Sequence, residues 1–166
     1  GRPICHELGS PNALELARTW VTGYIQGDHR SCPPVKDPKL PSRVLRVIQD
    51  KGRDSDVVCL HLASPDKEGH YVALSYCWGR QQSFTLTTAN FESMRRSMEL
   101  KELPQTIQDA IHVTRMLGFE YIWVDSLCII QDSESDKADQ VSKMQDIFRN
   151  STMTISAERA ADSQNG

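Results

Sequence analysis

Two near-continuous apolar runs, Tyr71-Val-Ala-Leu-Ser-Tyr76 and Tyr121-Ile-Trp-Val124, constrain the fold of this 166-residue chain more than any other feature. A strand with one wet face alternates apolar and polar residues, whereas a strand covered on both faces reads as an unbroken apolar run. Both runs therefore predict central strands. A helix is predicted between them: Leu103-Pro-Gln-Thr106 opens it, Ile107, Ala110, Ile111, Thr114 and Leu117 recur on one face, and Gly118 stops it. The acidic loop Asp132-Ser-Glu-Ser-Asp136 then leads into a second helix, expected to bury Val141, Met144 and Phe148, and a third β-prone run follows at Thr152-Met-Thr-Ile-Ser156. Strand, helix, strand, helix, strand joined by right-handed crossovers makes those three strands parallel.

Upstream, Val44-Leu-Arg-Val-Ile48 and Val57-Val-Cys-Leu-His-Leu62 flank a polar turn and should pair as an antiparallel hairpin. Ala13, Leu14, Leu16, Ala17, Trp20, Val21 and Tyr24 recur at helical spacing after Asn12, with Glu15 completing the form of a capping box. Four prolines between Asp28 and Pro41 mark a connecting loop, and a weaker apolar stripe suggests a helix from Thr88 to Glu99. The expected class is α/β, a three-layer domain with a mainly parallel central sheet and an added N-terminal hairpin and helix. The chain stops soon after the third parallel strand, where a doubly wound sheet would normally continue, so the fold is expected to be truncated there. Residues 1–40 read as helix and connecting loop and 41–166 as the domain proper, in one structural unit.

A formal charge of -3 and 25% charged residues offer no general attraction to phosphate backbones or acidic lipid, so nucleic acid is not an expected partner. No stretch approaches the roughly 20 apolar residues of a membrane span, and Gly1-Arg-Pro-Ile-Cys-His6 lacks the apolar core of a signal peptide. A cytoplasmic protein is expected. Its five scattered cysteines, Cys5, Cys32, Cys59, Cys77 and Cys128, should stay reduced. Cys5-His6 and His29-Ser-Arg-Cys32 do not have the paired spacing of a zinc site, and no metal is expected.

In open α/β sheets ligands bind outside the carboxyl ends of the strands, so the residues that directly follow the strands are the informative ones. Ser75-Tyr-Cys-Trp-Gly-Arg80 brings together a hydroxyl, two aromatics, a flexible glycine and a guanidinium, suited to stacking a flat ring and bonding a phosphate or sugar. Composition alone favours the plainer role, in which Tyr76 and Trp78 pack over the sheet edge. Asp125 either orients a ribose hydroxyl or caps the following turn. Cys128, between Leu127 and Ile129, reads as core, with no local base to activate it. Phosphate loops, zinc-protease motifs and serine-nucleophile elbows are absent from the sequence.

Taken together, Tyr71-Val-Ala-Leu-Ser-Tyr-Cys-Trp-Gly79, Leu103-Pro-Gln-Thr-Ile-Gln-Asp-Ala-Ile111 and Tyr121-Ile-Trp-Val-Asp-Ser-Leu-Cys-Ile-Ile-Gln131 resemble the heterokaryon-incompatibility (HET) domain of filamentous fungi. Met144-Gln-Asp-Ile-Phe148, Thr154-Ile-Ser-Ala157 and the lead-in Leu40-Pro-Ser-Arg-Val-Leu45 extend the resemblance, and Trp20 with His29-x-x-Cys32 is similar to a segment often found upstream. The resemblance implies a module of programmed cell death and non-self recognition, with protein partners engaged through other domains of a parent protein and homo-oligomerisation among the expectations.

The family also looks similar in fold to the flavodoxin-like TIR domain, whose enzymatic members hydrolyse NAD. That implies NAD as a substrate of the complete domain, with no other cofactor required. Carried over by position, the nucleotide cleft would be lined by Ser75, Tyr76, Trp78, Gly79, Asp125, Cys128 and Gln131. TIR-type chemistry further needs a glutamate on the helix after the third strand. Glu158 comes too early to be that residue, so the catalytic group is expected beyond this chain. The alternative is a non-enzymatic module that assembles homotypic signalling complexes.

Overall fold

The computed structural model describes residues 10–27, 37–47, 56–78 and 84–157. Its centre is β3 (Tyr71–Ser75), whose first four residues are at most 1% exposed, as an apolar run with no polar face requires. On one side β3 pairs in parallel with β5 (Tyr121–Trp123), Tyr71 opposite Tyr121 and Ala73 opposite Trp123. On the other it pairs in parallel with β6 (Met153–Ser156), Val72 opposite Met153 and Ser75 opposite Ser156. The expected hairpin forms from β1 (Arg43–Arg46) and β2 (Val57–Leu62) and joins the sheet antiparallel to β5. A two-residue strand, β4 (Met98–Glu99), closes the far edge against β2. The result is a six-stranded mixed sheet of order β4-β2-β1-β5-β3-β6, with the parallel strands together on one side.

The chain passes from β3 to β5 in one direction along the sheet, then from β5 back past β3 to β6. With right-handed crossovers the two connections take opposite faces. The first carries α2 (Phe91–Arg96) and α3 (Gln105–Met116); the second carries α4 (Asp125–Cys128) and α5 (Glu134–Asn150). The face of α5 is fixed by two contacts: the Tyr71 hydroxyl donates to the Ile147 carbonyl at 2.7 Å, and the Phe148 ring meets Trp123 edge-on at 5.5 Å. Ile107, Ile111 and Thr114 of α3 are fully buried, and Gly118, at φ 86°, ends that helix in a conformation that side chains avoid. Reversal of direction at β3 places the topological switch at the carboxyl ends of β3 and β6, where doubly wound sheets generally bind ligands.

Four expectations are corrected. The first helix, α1 (Pro11–Ile25), is capped by Ser10 with Pro11 in its first turn, and not by Asn12. Its residues Leu16, Trp20 and Tyr24 are exposed, because Leu14, Ala17, Val21 and Ile25 already supply the face that packs. The helix expected over 88–99 begins only at Phe91: the Asn90 side chain accepts from the Thr87 amide at 2.7 Å and donates to the Thr85 carbonyl at 2.8 Å, holding a turn before it. Val141 lies on the outer face of α5 at 58% exposure, since Gln140, Met144, Ile147 and Phe148 turn inward.

Candidate functional site

β5 ends at Trp123, and Asp125 opens the single turn of α4 directly beyond it. There the Asp125 carboxylate accepts from the Ser126 amide through Oδ1 and from the Trp78 indole Nε1 through Oδ2, both at 2.7 Å. The Tyr76 hydroxyl meets Ser126 Oγ at 2.7 Å. Thus the segment leaving β3 is tied to the segment leaving β5 by two side-chain bonds. Gln131 closes the group from the other side, its amide nitrogen donating to the carbonyls of Asp125 and Ile129 at 3.2 and 3.0 Å.

Electrostatics follow from this enclosure. Burial pushes the Asp125 carboxyl up to about 6, against the pull of the Ser126 amide and the Trp78 indole, which favour its charged form. Burial likewise raises the Tyr76 phenol, so it stays protonated. The Cys128 thiol is wholly enclosed and pushed up to about 12, which leaves no thiolate for nucleophilic chemistry. Asp125 is therefore the group of this cluster that can change charge near neutral pH.

Of the residues singled out from sequence, Tyr76, Trp78, Asp125 and Gln131 come together. Ser75 is exposed at the end of β3, opposite Ser156, and makes no side-chain bond to the others. Cys128 lies beneath them as core, as the residue pattern suggested; enclosed in this way, its side chain can support a cleft but cannot touch a ligand. Gly79 and Glu158, along with Cys5, His6, His29 and Cys32, fall outside the described residues. Cys59, Cys77 and Cys128 are free thiols. Among the described residues no group of acidic, histidine and cysteine side chains is arranged to hold a metal ion, and no helix is long and apolar enough to cross a membrane.

Ser126, Leu86, Arg43 and Asp136 also take part, none of them marked out by the sequence as a site residue. Ser126 is almost completely buried, and its carbonyl accepts from the Leu86 amide at 2.9 Å while Gln131 N donates to the Leu86 carbonyl at 2.8 Å. The strip around Leu86 therefore runs alongside the cluster. Arg43, at the start of β1, donates through Nε to the Cys128 carbonyl at 2.6 Å and through one terminal nitrogen to both oxygens of Asp136 at 2.7 and 2.6 Å. Asp136 in turn accepts from the Ile130 amide at 2.8 Å, so this ion pair pins the loop that carries Gln131. The available signal was an arginine directly before the apolar pair Val44-Leu45, where a buried cation needs a partner.

A family model described as heterokaryon incompatibility protein (HET) matches residues 71–166, which include both strand ends and the whole cluster. The chain belongs to the HET family. Heterokaryon incompatibility protein 6, OR allele, of Neurospora crassa is 26% identical over 130 residues. That alignment covers 73% of this chain and 19% of the Neurospora protein, so the chain spans about a fifth of its relative's length. No solved structure matches the HET chain significantly.

Proposed function

We propose that this HET domain serves cell-death and non-self-recognition signalling, and that its strand-end cluster binds an adenine or nicotinamide nucleotide, NAD being the substrate of the complete, TIR-like domain. Family membership and the Neurospora relative support the signalling role. The nucleotide reading is carried by one observation: Asp125, an enclosed carboxylate with its pKa raised to about 6, is held by Trp78 at the end of a central parallel strand. Each of its oxygens keeps a lone pair beyond those used by Ser126 and Trp78, enough to accept ribose hydroxyls. Strand order supports it as well, because β5-β3-β6 is the 2-1-3 opening of a flavodoxin-like sheet, in which ligands bind outside the carboxyl ends of the strands.

Loss of nicotinamide breaks the glycosidic C–N bond, the electron pair leaves with the pyridine, and an oxocarbenium-like sugar remains for water to attack. A nearby carboxylate stabilises that charge. No residue of this chain matches the glutamate that TIR-type chemistry uses, so the expected behaviour is binding without turnover. Calorimetry and ligand-observed NMR with NAD, repeated on Trp78→Ala and Asp125→Ala, test the first half; assay of released nicotinamide tests the second. Binding that both variants abolish supports the reading. Nicotinamide release by this chain would overturn the missing-glutamate argument, and no binding at millimolar NAD would overturn the nucleotide site.

A second reading is an assembly module without chemistry. It is favoured by the way Tyr76, Trp78 and Gln131 already satisfy one another's neighbours, as a structural brace would. Failure of NAD to bind, combined with concentration-dependent self-association in ultracentrifugation, would select it.

A further inference from the structure

A cleft of about 350 Å³ lies on the α5 face, between that helix and the chain flanking β1 and β2, and shares no lining residue with the Asp125 cluster. Leu40, Pro41, Pro65 and Ile147 give it an apolar lining, while Gln140, Asp146 and Asn150 line it from α5. Gln140 is only 4% exposed. Its amide nitrogen donates to Asp139 Oδ2 at 2.9 Å and approaches Ser42 Oγ at 3.4 Å, which fixes the amide orientation and leaves Oε1 with no partner among the described residues. Oε1 is not shut away from the cleft that Gln140 lines, so a donor bound there can replace water on it.

Charge narrows the choice. Lys39 and Lys143 at the rim are each neutralised by their own carboxylates, Asp66 at 3.1 Å and Asp139 at 2.7 Å. Asp146 has no ion pair or hydrogen bond among the described residues, so its negative charge is uncompensated. From Gln140 to Asn150 the lining follows α5 for about 15 Å, the length of roughly four extended residues. The ligand that fits is elongated, carries N–H donors and one positive charge, and has methylene groups for the apolar lining.

We propose that this cleft binds an extended peptide of a protein partner through an arginine or lysine side chain, whose stem lies on Leu40, Pro41 and Ile147 and whose cationic head is taken by Asp146, with a peptide N–H donated to Gln140 Oε1. A side-chain cation and a backbone amide together suit both open acceptors, whereas the phosphates of a free nucleotide would meet Asp146 with like charge.

Titration of the ¹⁵N-labelled 166-residue chain with acetyl-Ala-Ala-Arg-Ala-Ala-amide, its citrulline counterpart and its glutamate counterpart tests the proposal. The arginine peptide should shift the amides of Ser42, Ala63, Gln140 and Ile147 and bind about tenfold more tightly than the citrulline peptide, the factor that about 1.4 kcal/mol represents. Gln140→Met, which keeps length and loses the acceptor, should weaken binding to a similar degree. The exposed, conservative Asp146→Asn should weaken it roughly threefold without touching the core, so the test survives if Gln140→Met fails to fold. Equal binding of the arginine and citrulline peptides, tighter binding of the glutamate peptide, shifts confined to other surfaces, or no binding at all would each overturn the proposal.

Discussion

The centre of the sheet and its carboxyl-end rim are held by different physics. In β3 and β5, side chains on both faces are excluded from water, and what fixes them is area and shape: Val72, Ala73, Ile122 and Trp123 are all fully buried. At the rim a few directional bonds do the fixing, Tyr76 to Ser126, Trp78 to Asp125, Arg43 to Asp136. Apolar packing tolerates no loss of volume but is indifferent to pH and salt, whereas the rim responds to protons and to single polar atoms. A region meant to change state on meeting a ligand is better built the second way.

The largest expected effect tests the centre. Trp123→Ala should cost about 3–5 kcal/mol, because an enclosed indole packed edge-on against Phe148 leaves a cavity that β5 cannot collapse around. A urea midpoint shift equivalent to less than about 1 kcal/mol would show that Trp123 is not packed into the centre.

Next comes the rim's response to pH. The folded pKa of Asp125, about 6, is above its usual value of 3.8, so ionisation opposes folding. The associated stability is fully present below pH 3.8 and is lost as pH rises through 6. Between these limits the loss amounts to about 3 kcal/mol. Relative to Asp125→Asn, whose side chain does not titrate, the chain should therefore lose stability as pH rises across that window. Parallel profiles would mean that Asp125 is solvated.

A smaller effect, about 2 kcal/mol, is expected for Arg43→Met, which takes the Arg43 donor from the Cys128 carbonyl and the Asp136 carboxylate; the Ile130 amide and the start of α5 continue to favour the latter's charge. Hydrogen exchange should quicken first at Ile130 and Gln131, and uniform quickening would place Arg43 in the centre's economy instead. Smallest is Tyr76→Phe, about 1 kcal/mol, since Ser126 Oγ loses its partner but the ring remains. A measured cost above about 3 kcal/mol would make the rim as rigid as the centre.

The same division explains what could be read from the sequence. β3, β5, α3 and the hairpin are legible because burial on two faces, helical recurrence and a stop glycine are local patterns in Tyr71–Ser75, Tyr121–Trp123 and Gln105–Met116. The site positions Tyr76, Trp78, Asp125 and Gln131 are also legible as places, since the rule about strand ends needs only the strands. Their partnerships are not. Trp78 meets Asp125, and Arg43 meets Asp136, across long stretches of chain that only the register of β3, β5 and β1 brings together. On α5, Met144 and Phe148 pack inward as their period predicts, whereas Val141 fits the same period but lies outside, and Gln140 turns inward toward Ser42, which periodicity cannot register. β4 is too short to leave a pattern and exists through its pairing with Val57 and Val58.

The position of β3 between β5 and β6 also sets a timetable. Its two neighbours enter the chain only with Tyr121 and Met153, long after Tyr71 has emerged. At roughly 5–20 residues per second of synthesis, this buried central strand waits for seconds with neither edge matched, and its pairings are non-local and slow to close. Nascent chains should accordingly lean on ribosome-associated chaperones until β5 arrives, and slowing translation between codons 76 and 121 should raise the insoluble fraction while leaving the stability of the finished protein untouched.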